Sequence, residues 1–359
     1  NTMEKEQRQT IQDMLRTAVA GISVNMETDA KGNSSMLIRG RGTIAASTEP
    51  LIVLDGTIYS GQITDINPND IERIDILKDA SSTAVYGAQA ANGVVLITTK
   101  KGRGNKPSIS FNGSWGWAMV HSQPDVYEGQ DFVDFRQAVM ESAEYETAAT
   151  GYFKNPAGLS GDELTEWLGS DSGDPTEIWL NRLRMTNTEV TNYIAGKTTD
   201  WKKITQQTAL RQDYTISVSG NKENMSYYSS INYLKNESND IGSSYSAIRA
   251  RINLENNIKN FLTYGVNAQF TARDEGKMSG DDGGPYASWN WELSPYGNVY
   301  DENGVLTYYP NDNNNASNPL LNMAYTSKKK DYNNLNSSLY LKLNLPWGFS
   351  LQTTYSPRF

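Results

Sequence analysis

From residue 108 onward the chain alternates. Ile109, Phe111, Trp115 and Trp117 are interleaved with Ser108, Ser110, Asn112, Ser114 and Gly116. This period of two gives a β-strand one apolar and one polar face. The pattern returns over 213–219, 225–233, 248–255, 262–271, 335–345 and 349–356. In the stretch 248–255, Ile248, Ala250, Ile252 and Leu254 oppose Arg249, Arg251, Asn253 and Glu255. Seven strands are predicted. Residues 1 to about 105 have a different texture. Short apolar runs at 20–24, 36–38, 51–54, 71–77 and 94–98 are separated by the turn formers Lys31-Gly32-Asn33, Asp55-Gly56, Asn67-Pro68-Asn69-Asp70 and Asn92-Gly93. Residues 3–15 suit a short helix or an unstructured lead. Residues 81–86, followed by Gly87, suit a short capped helix. A small α/β unit is predicted, joined by a linker at 100–107 to the strand-rich remainder.

The connections between strands fall into two kinds. Those at 220–224, 257–260 and 346–348 are short. The alternate ones, at about 121–207, 237–243 and 274–330, include two that are very long. Short turns at one end and long loops at the other are the pattern of an outer-membrane barrel, with the long loops outside. Trp117, Tyr214, Tyr233, Phe349 and Tyr355, near strand ends, suit the aromatic girdles of such a barrel. A soluble β-sandwich explains the alternation equally well, but loops of this length are unusual in compact domains.

Composition narrows the function classes. The 359 residues contain no Cys, which excludes disulfides, Cys-ligated zinc and a thiol nucleophile. A net charge of -9 offers no basic surplus for nucleic acid. No run approaches the apolar length of a transmembrane helix, a criterion that barrel strands do not have to meet. The first residue is Asn, and no signal peptide follows it, so the N-terminus reads as processed or incomplete. A single histidine, His121, removes His-based triads and multi-histidine metal sites. Gly196-Lys197-Thr198 lacks the upstream glycine of a P-loop, because position 191 is Thr. No catalytic constellation is found, and an enzyme is not expected.

One stretch is far more specific. Ile38-Arg39-Gly40, Pro50-Leu51-Ile52-Val53-Leu54-Asp55-Gly56, Ile66-Asn67-Pro68-Asn69-Asp70-Ile71-Glu72, Ile76-Leu77-Lys78-Asp79-Ala80-Ser81-Ser82-Thr83-Ala84-Val85-Tyr86-Gly87 and Ala91-Asn92-Gly93-Val94-Val95-Leu96-Ile97-Thr98-Thr99-Lys100-Lys101-Gly102 follow one another in order. Together they resemble the plug of TonB-dependent receptors, in the variant of the SusC/RagA family of Bacteroidetes nutrient importers. Residues 213–219, 225–234 and 247–254 also resemble that family's early barrel strands. The resemblance implies a large, plugged transmembrane β-barrel with a small α/β plug domain, in the bacterial outer membrane and among its lipid. The chain then reads as an incomplete N-terminal portion. Residues 1–105 would be the plug domain. Residues 106–359 would be the N-terminal part of the barrel, with extracellular loops near 121–207 and 274–330. It further implies TonB-dependent active import of an oligosaccharide, or alternatively of a peptide, beneath a SusD-like lipoprotein lid. Energy would come through the TonB–ExbB–ExbD complex. A siderophore or vitamin receptor is the neighbouring alternative.

Candidate site residues follow. Glu72, Arg73, Lys78 and Asp79 would form either a movable latch between plug and barrel wall or fixed structural ion pairs. Paired buried charges contribute little net stability. Arg39 and Arg41 would contact cargo or a wall carboxylate. Trp289, Trp291, Tyr296, Tyr308 and Tyr309 are the cargo candidates, because aromatic faces stack on the C–H faces of sugars while neighbouring amides such as Asn311 and Asn313 bond hydroxyls. The competing role for these aromatics is packing of the loop itself. Trp167, Trp179 and Trp201 carry the same ambiguity. No cofactor is expected. Asp281-Asp282 and Asp301-Glu302-Asn303 have the clustered oxygens that calcium takes, without EF-hand spacing, and ordinary turns account for them more simply.

Overall fold

The computed structural model describes residues 11–18, 22–26, 30–31, 34–38, 49–78, 84–120, 125–142, 151–276, 292–325 and 330–357. The chain divides into two compact units. One comprises Asn1–Met119, Thr208–Ser279 and Lys328–Phe359, and the other comprises Val120–Gln207 and Gly280–Ser327.

The first unit begins with helix α1 (Ile11–Ala18) and an antiparallel ribbon of β1 (Ile22–Met26) and β2 (Ser34–Ile38). A four-stranded mixed sheet follows. It is built from β3 (Leu51–Leu54), β4 (Thr57–Ile58), β5 (Ile71–Leu77) and β6 (Val94–Thr99) in the order β4-β3-β6-β5, with β3 and β6 parallel. The turn between β3 and β4 is tight: Asp55 and Gly56 both have positive φ, 49° and 85°, the conformation of a two-residue hairpin turn. Successive residues of β6 serve opposite faces. Val95 and Ile97 pack with Ile11, Leu15, Leu54, Ile66 and Ile71, while Val94 packs with Val53 and Ala90. Where a capped helix is predicted, 3-10 turns span Ala84–Ala90 and kink at Gly87, whose φ is 69°. Residues 79–83, where that helix would begin, lie outside the described residues.

Seven strands then pair in strict sequence order as one antiparallel meander. They are β7 (Ser108–Ala118), β8 (Ala209–Lys222), β9 (Met225–Glu237), β10 (Ser244–Ile258), β11 (Leu262–Asp274), β12 (Asp331–Asn344) and β13 (Ser350–Tyr355). Register follows the alternation. Asp213, Asn232, Arg249 and Thr271 share one face, and Ile216, Ile231, Ala250 and Phe270 share the other. The polar face is the buried one: Thr215, Asn232, Arg251 and Gln269 are shielded by the plug, and Arg251 is 2% exposed. The apolar face is open, and Ile109 on it is 73% exposed. This inverts the distribution expected of a water-soluble sheet, in which apolar residues point inward. It is what a wall needs when it has a polar interior on one side and lipid on the other. No helix among the described residues is long and apolar enough to cross a membrane.

The second unit contains what the sequence suggests are two long loops. Among its described residues are the helices α2 (Gly129–Met140), α3 (Gly161–Leu168), α4 (Pro175–Arg182), α5 (Asn187–Ile194), α6 (Trp201–Thr205) and α7 (Leu320–Tyr325). Val133, Phe153, Trp179, Leu180, Leu183, Val190 and Tyr296 form its core. Caps hold the short helices: Asp174 accepts from the N–H groups of Thr176 and Glu177, and Thr186 and Glu189 make a reciprocal capping box.

Candidate functional site: the plug seated against the wall

The plug segment from Asp55 to Asp70 touches the wall strand by strand. Asn67 and Asn69 donate their side-chain amides to Thr215 on β8, at 3.4 and 3.1 Å. The Tyr228 hydroxyl on β9 donates to Asp70 at 2.8 Å. Arg251 on β10 reaches Asp55 at 3.0 Å and Thr99 at 3.2 Å. On β11, Arg273 grips both oxygens of Asp65 at 2.6 and 2.7 Å, and Gln269 donates to the Asp65 carbonyl at 2.9 Å. Arg273 also donates to Glu275 at 3.0 Å, and Lys31 of the plug meets that same carboxylate at 2.6 Å.

These wall residues are neighbours because the strands hold them on one face at facing register positions. Asn253 adds bonds to Thr99 and to the Lys100 carbonyl, both at 2.8 Å. The charges are buried yet paired, and the forked guanidinium groups satisfy several acceptors at once. In the plug, burial, then the nearby Asp65 carboxylate, pushes the Tyr59 hydroxyl well above the usual tyrosine range.

Below the plug sheet, the linker is fastened as well. Lys101 pairs with Glu255 at 2.7 Å, and Tyr340 donates to the same carboxylate at 2.5 Å. Ser226 donates to the Gly102 carbonyl at 3.0 Å, and the Asn221 N–H donates to the Gly104 carbonyl at 2.9 Å. Gly102 passes so close to the turn between β8 and β9 that a Cβ there would collide with the Gly220 carbonyl and the Tyr227 backbone.

The latch candidates from the sequence sit differently. Glu72 pairs with Arg103, and Arg73 pairs with Asp75 at 2.7 Å, so both pairs stay within the plug and its linker. Lys78 lies just past the end of β5, and Asp79 lies outside the described residues. The ion pairs that bridge plug and wall run instead through Asp55, Asp65, Lys31 and Lys101. Their signal in the sequence is the row of charges at the polar positions of the alternating strands, Arg251, Glu255 and Arg273, with Glu275 in the same period just past β11.

In the second unit, Tyr296 is buried at 4% exposure, with Phe132 and Tyr193 rings 6.2 and 5.5 Å away. Burial, then Tyr193 and Asp134, pushes its hydroxyl up to about 12. Of the two roles weighed for it, the structure gives Tyr296 the packing one. Trp179 and Trp201 are buried too, bonded through their indole N–H to the carbonyls of Phe153 and Ser294. Trp167 lies against Arg182, whose guanidinium is sandwiched between the Trp167 and Tyr152 rings at 4.1 Å each. Tyr308 and Tyr309 are exposed and meet edge-to-face at 4.6 Å. Arg39, Arg41, Trp289 and Trp291 lie outside the described residues, as do Asp281 and Asp282. The Asp301 carboxylate accepts from the N–H groups of Asn303 and Val305, at 2.9 and 2.8 Å, within its own turn.

Comparison with known proteins agrees with this architecture. The family described as TonB-dependent Receptor Plug Domain matches residues 1–94. The TonB-dependent receptor SusC of Bacteroides thetaiotaomicron is 30% identical over 348 residues, covering 92% of this chain and 30% of that protein. The TonB-dependent receptor P26 of Formosa agariphila is 28% identical, covering 97% of this chain and 31% of that protein. Among solved structures, the RagAB peptide importer in its open-open state superposes with a TM-score of 0.71 at 25% identity, over 99% of this chain and 39% of that one. The chain thus spans about a third of the length of the curated relatives it matches. By name these relatives are TonB-dependent receptors and an importer of peptides. With its plug, its inverted seven-stranded wall and its sequence, this chain belongs with the SusC/RagA-like TonB-dependent receptors, as their plug and early wall strands.

Proposed function

We propose that this plug and wall serve active import of a nutrient oligomer, foremost a glycan, across the outer membrane. The observation that carries this reading is the polar, hydrogen-bonded seat that holds a folded plug against a wall whose other face is apolar. A closed hydrogen-bonded wall is stiff, so passage requires the plug to shift within it. Energy would arrive through TonB with ExbB and ExbD. A SusD-like surface lipoprotein would cover the mouth at the end that carries the long connections. Likeness to SusC over 92% of the chain supports the family of this assembly. A peptide cargo is the second reading, favoured by the likeness to an importer of peptides.

These 359 residues hold no cysteine that would compete locally with an engineered pair. Cysteines introduced in the full-length protein at Asn69 and Thr215, whose side chains are hydrogen-bonded at 3.1 Å, allow plug and wall to be cross-linked. Uptake should stop on cross-linking and return on reduction. Undiminished uptake by the cross-linked protein would refute the need for the plug to move.

A further inference from the structure

We propose that the second unit selects an uncharged oligosaccharide and turns acidic ones away. This rests on the importer reading and narrows its cargo.

Charge is unevenly divided along the chain. The second unit holds 21 of the 41 Asp and Glu residues but only 7 of the 32 Lys and Arg residues. Its stretch 280–327, which carries the exposed tyrosines, contains no Lys, Arg or His. Among these cations, Arg182 pairs with Asp171 at 2.7 Å, and Arg136 lies 3.7 Å from Glu189, both carboxylates of the unit itself. A uronate or sulfate group is normally held by a guanidinium fork or an ammonium group. Here it would meet a field of its own sign.

The same stretch offers what a neutral sugar needs. Tyr300, Tyr308 and Tyr309 are exposed. Their backbone is held in place: Tyr300 bridges Leu306, Thr307 N–H donates to Val299 at 3.1 Å, and Asp301 N–H donates to Val305 at 2.7 Å. The fully buried Asn318 donates its side chain to the Val299 carbonyl at 2.9 Å and its N–H to the Tyr308 carbonyl at 3.0 Å. A platform fixed in this way loses little freedom when a ring stacks on it. These internal bonds also occupy the N–H groups of 301 and 307 and the carbonyls of 299, 305 and 308. The two N–H groups are therefore not available to donate to an extended peptide.

The test uses the full-length complex purified from native membranes. Plant and microbial polysaccharide digests are separated by anion exchange into neutral and acidic pools, and a peptide digest serves as the third probe. Calorimetry should show binding from the neutral pool, with affinity unchanged between low and high salt. Tyr308→Ala combined with Tyr309→Ala should weaken that binding roughly tenfold, whereas the double Phe variant should retain it, because stacking needs the ring and not the hydroxyl. Preference for the acidic pool, or equal loss in the Phe and Ala variants, overturns the inference and leaves glycan import standing. Binding of peptides alone, or of neither glycan pool, defeats the glycan reading and the inference with it.

Discussion

Arg273 shows how a single side chain ties wall to plug. It holds both oxygens of Asp65 and also meets Glu275, which in turn holds Lys31. All four are buried. Removing one partner from such a set strands the others, at a cost of roughly 3–5 kcal/mol. Arg273→Ala should therefore lower stability to chemical unfolding in detergent or lipid by about that much. Removing Asp65 as well should recover part of the loss; a double variant no more stable than Arg273→Ala would show that Asp65 is not the group left stranded. In the sequence, the conspicuous charges are Glu72, Arg73, Lys78 and Asp79, because they cluster locally. The bridging partners lie 196 positions apart for Asp55 and Arg251, and 208 for Asp65 and Arg273. Alternation reveals which face of a strand a charge occupies. It carries no information about which plug residue comes to rest opposite it.

At the scale of elements, the decisive feature is the open apolar face of the seven strands. Ile231 on β9 is 56% exposed. On a soluble sheet, a charge at so exposed a position changes stability by no more than about 0.5 kcal/mol. On a lipid face, Arg near the bilayer centre costs about 2–4 kcal/mol. Ile231→Arg should show the larger loss when the full-length protein is unfolded from bilayers, and a neutral result would argue against lipid contact at β9. The strands themselves are legible in the sequence, since the period of two marks each one and its two faces, although β8 runs over Ala209–Lys222 where the alternation marks only 213–219. Their environment is less so, because a sandwich and a barrel share that period: the loop lengths lean towards a barrel, and burial shows which face is open. The helices of the second unit escape the same reading. They are short, and their apolar positions serve a core assembled from two separate stretches of chain. Two signals nonetheless mark them in the sequence: Asp174 before Pro175, and Thr186 three residues before Glu189.

For the whole molecule, the two units divide labour by chemistry. The plug and wall bury polar groups against each other, whereas the second unit packs an apolar core under an acidic surface. The linker after the plug, fastened at Lys101, Gly102 and Gly104 to β8, β9 and β10, bears on how such a protein is built. The hydrogen bonds and ion pairs made here, with those of Asp55, Asp65 and Asp70, fall on strands β8 to β11. The cork is thus tethered to staves that stand near it in the chain, an arrangement that needs no later stave in place. Chains arrested after β13 should already protect residues 100–104 from protease. Protection that appears only in longer chains would mean that closure comes first and the stopper is fitted afterwards.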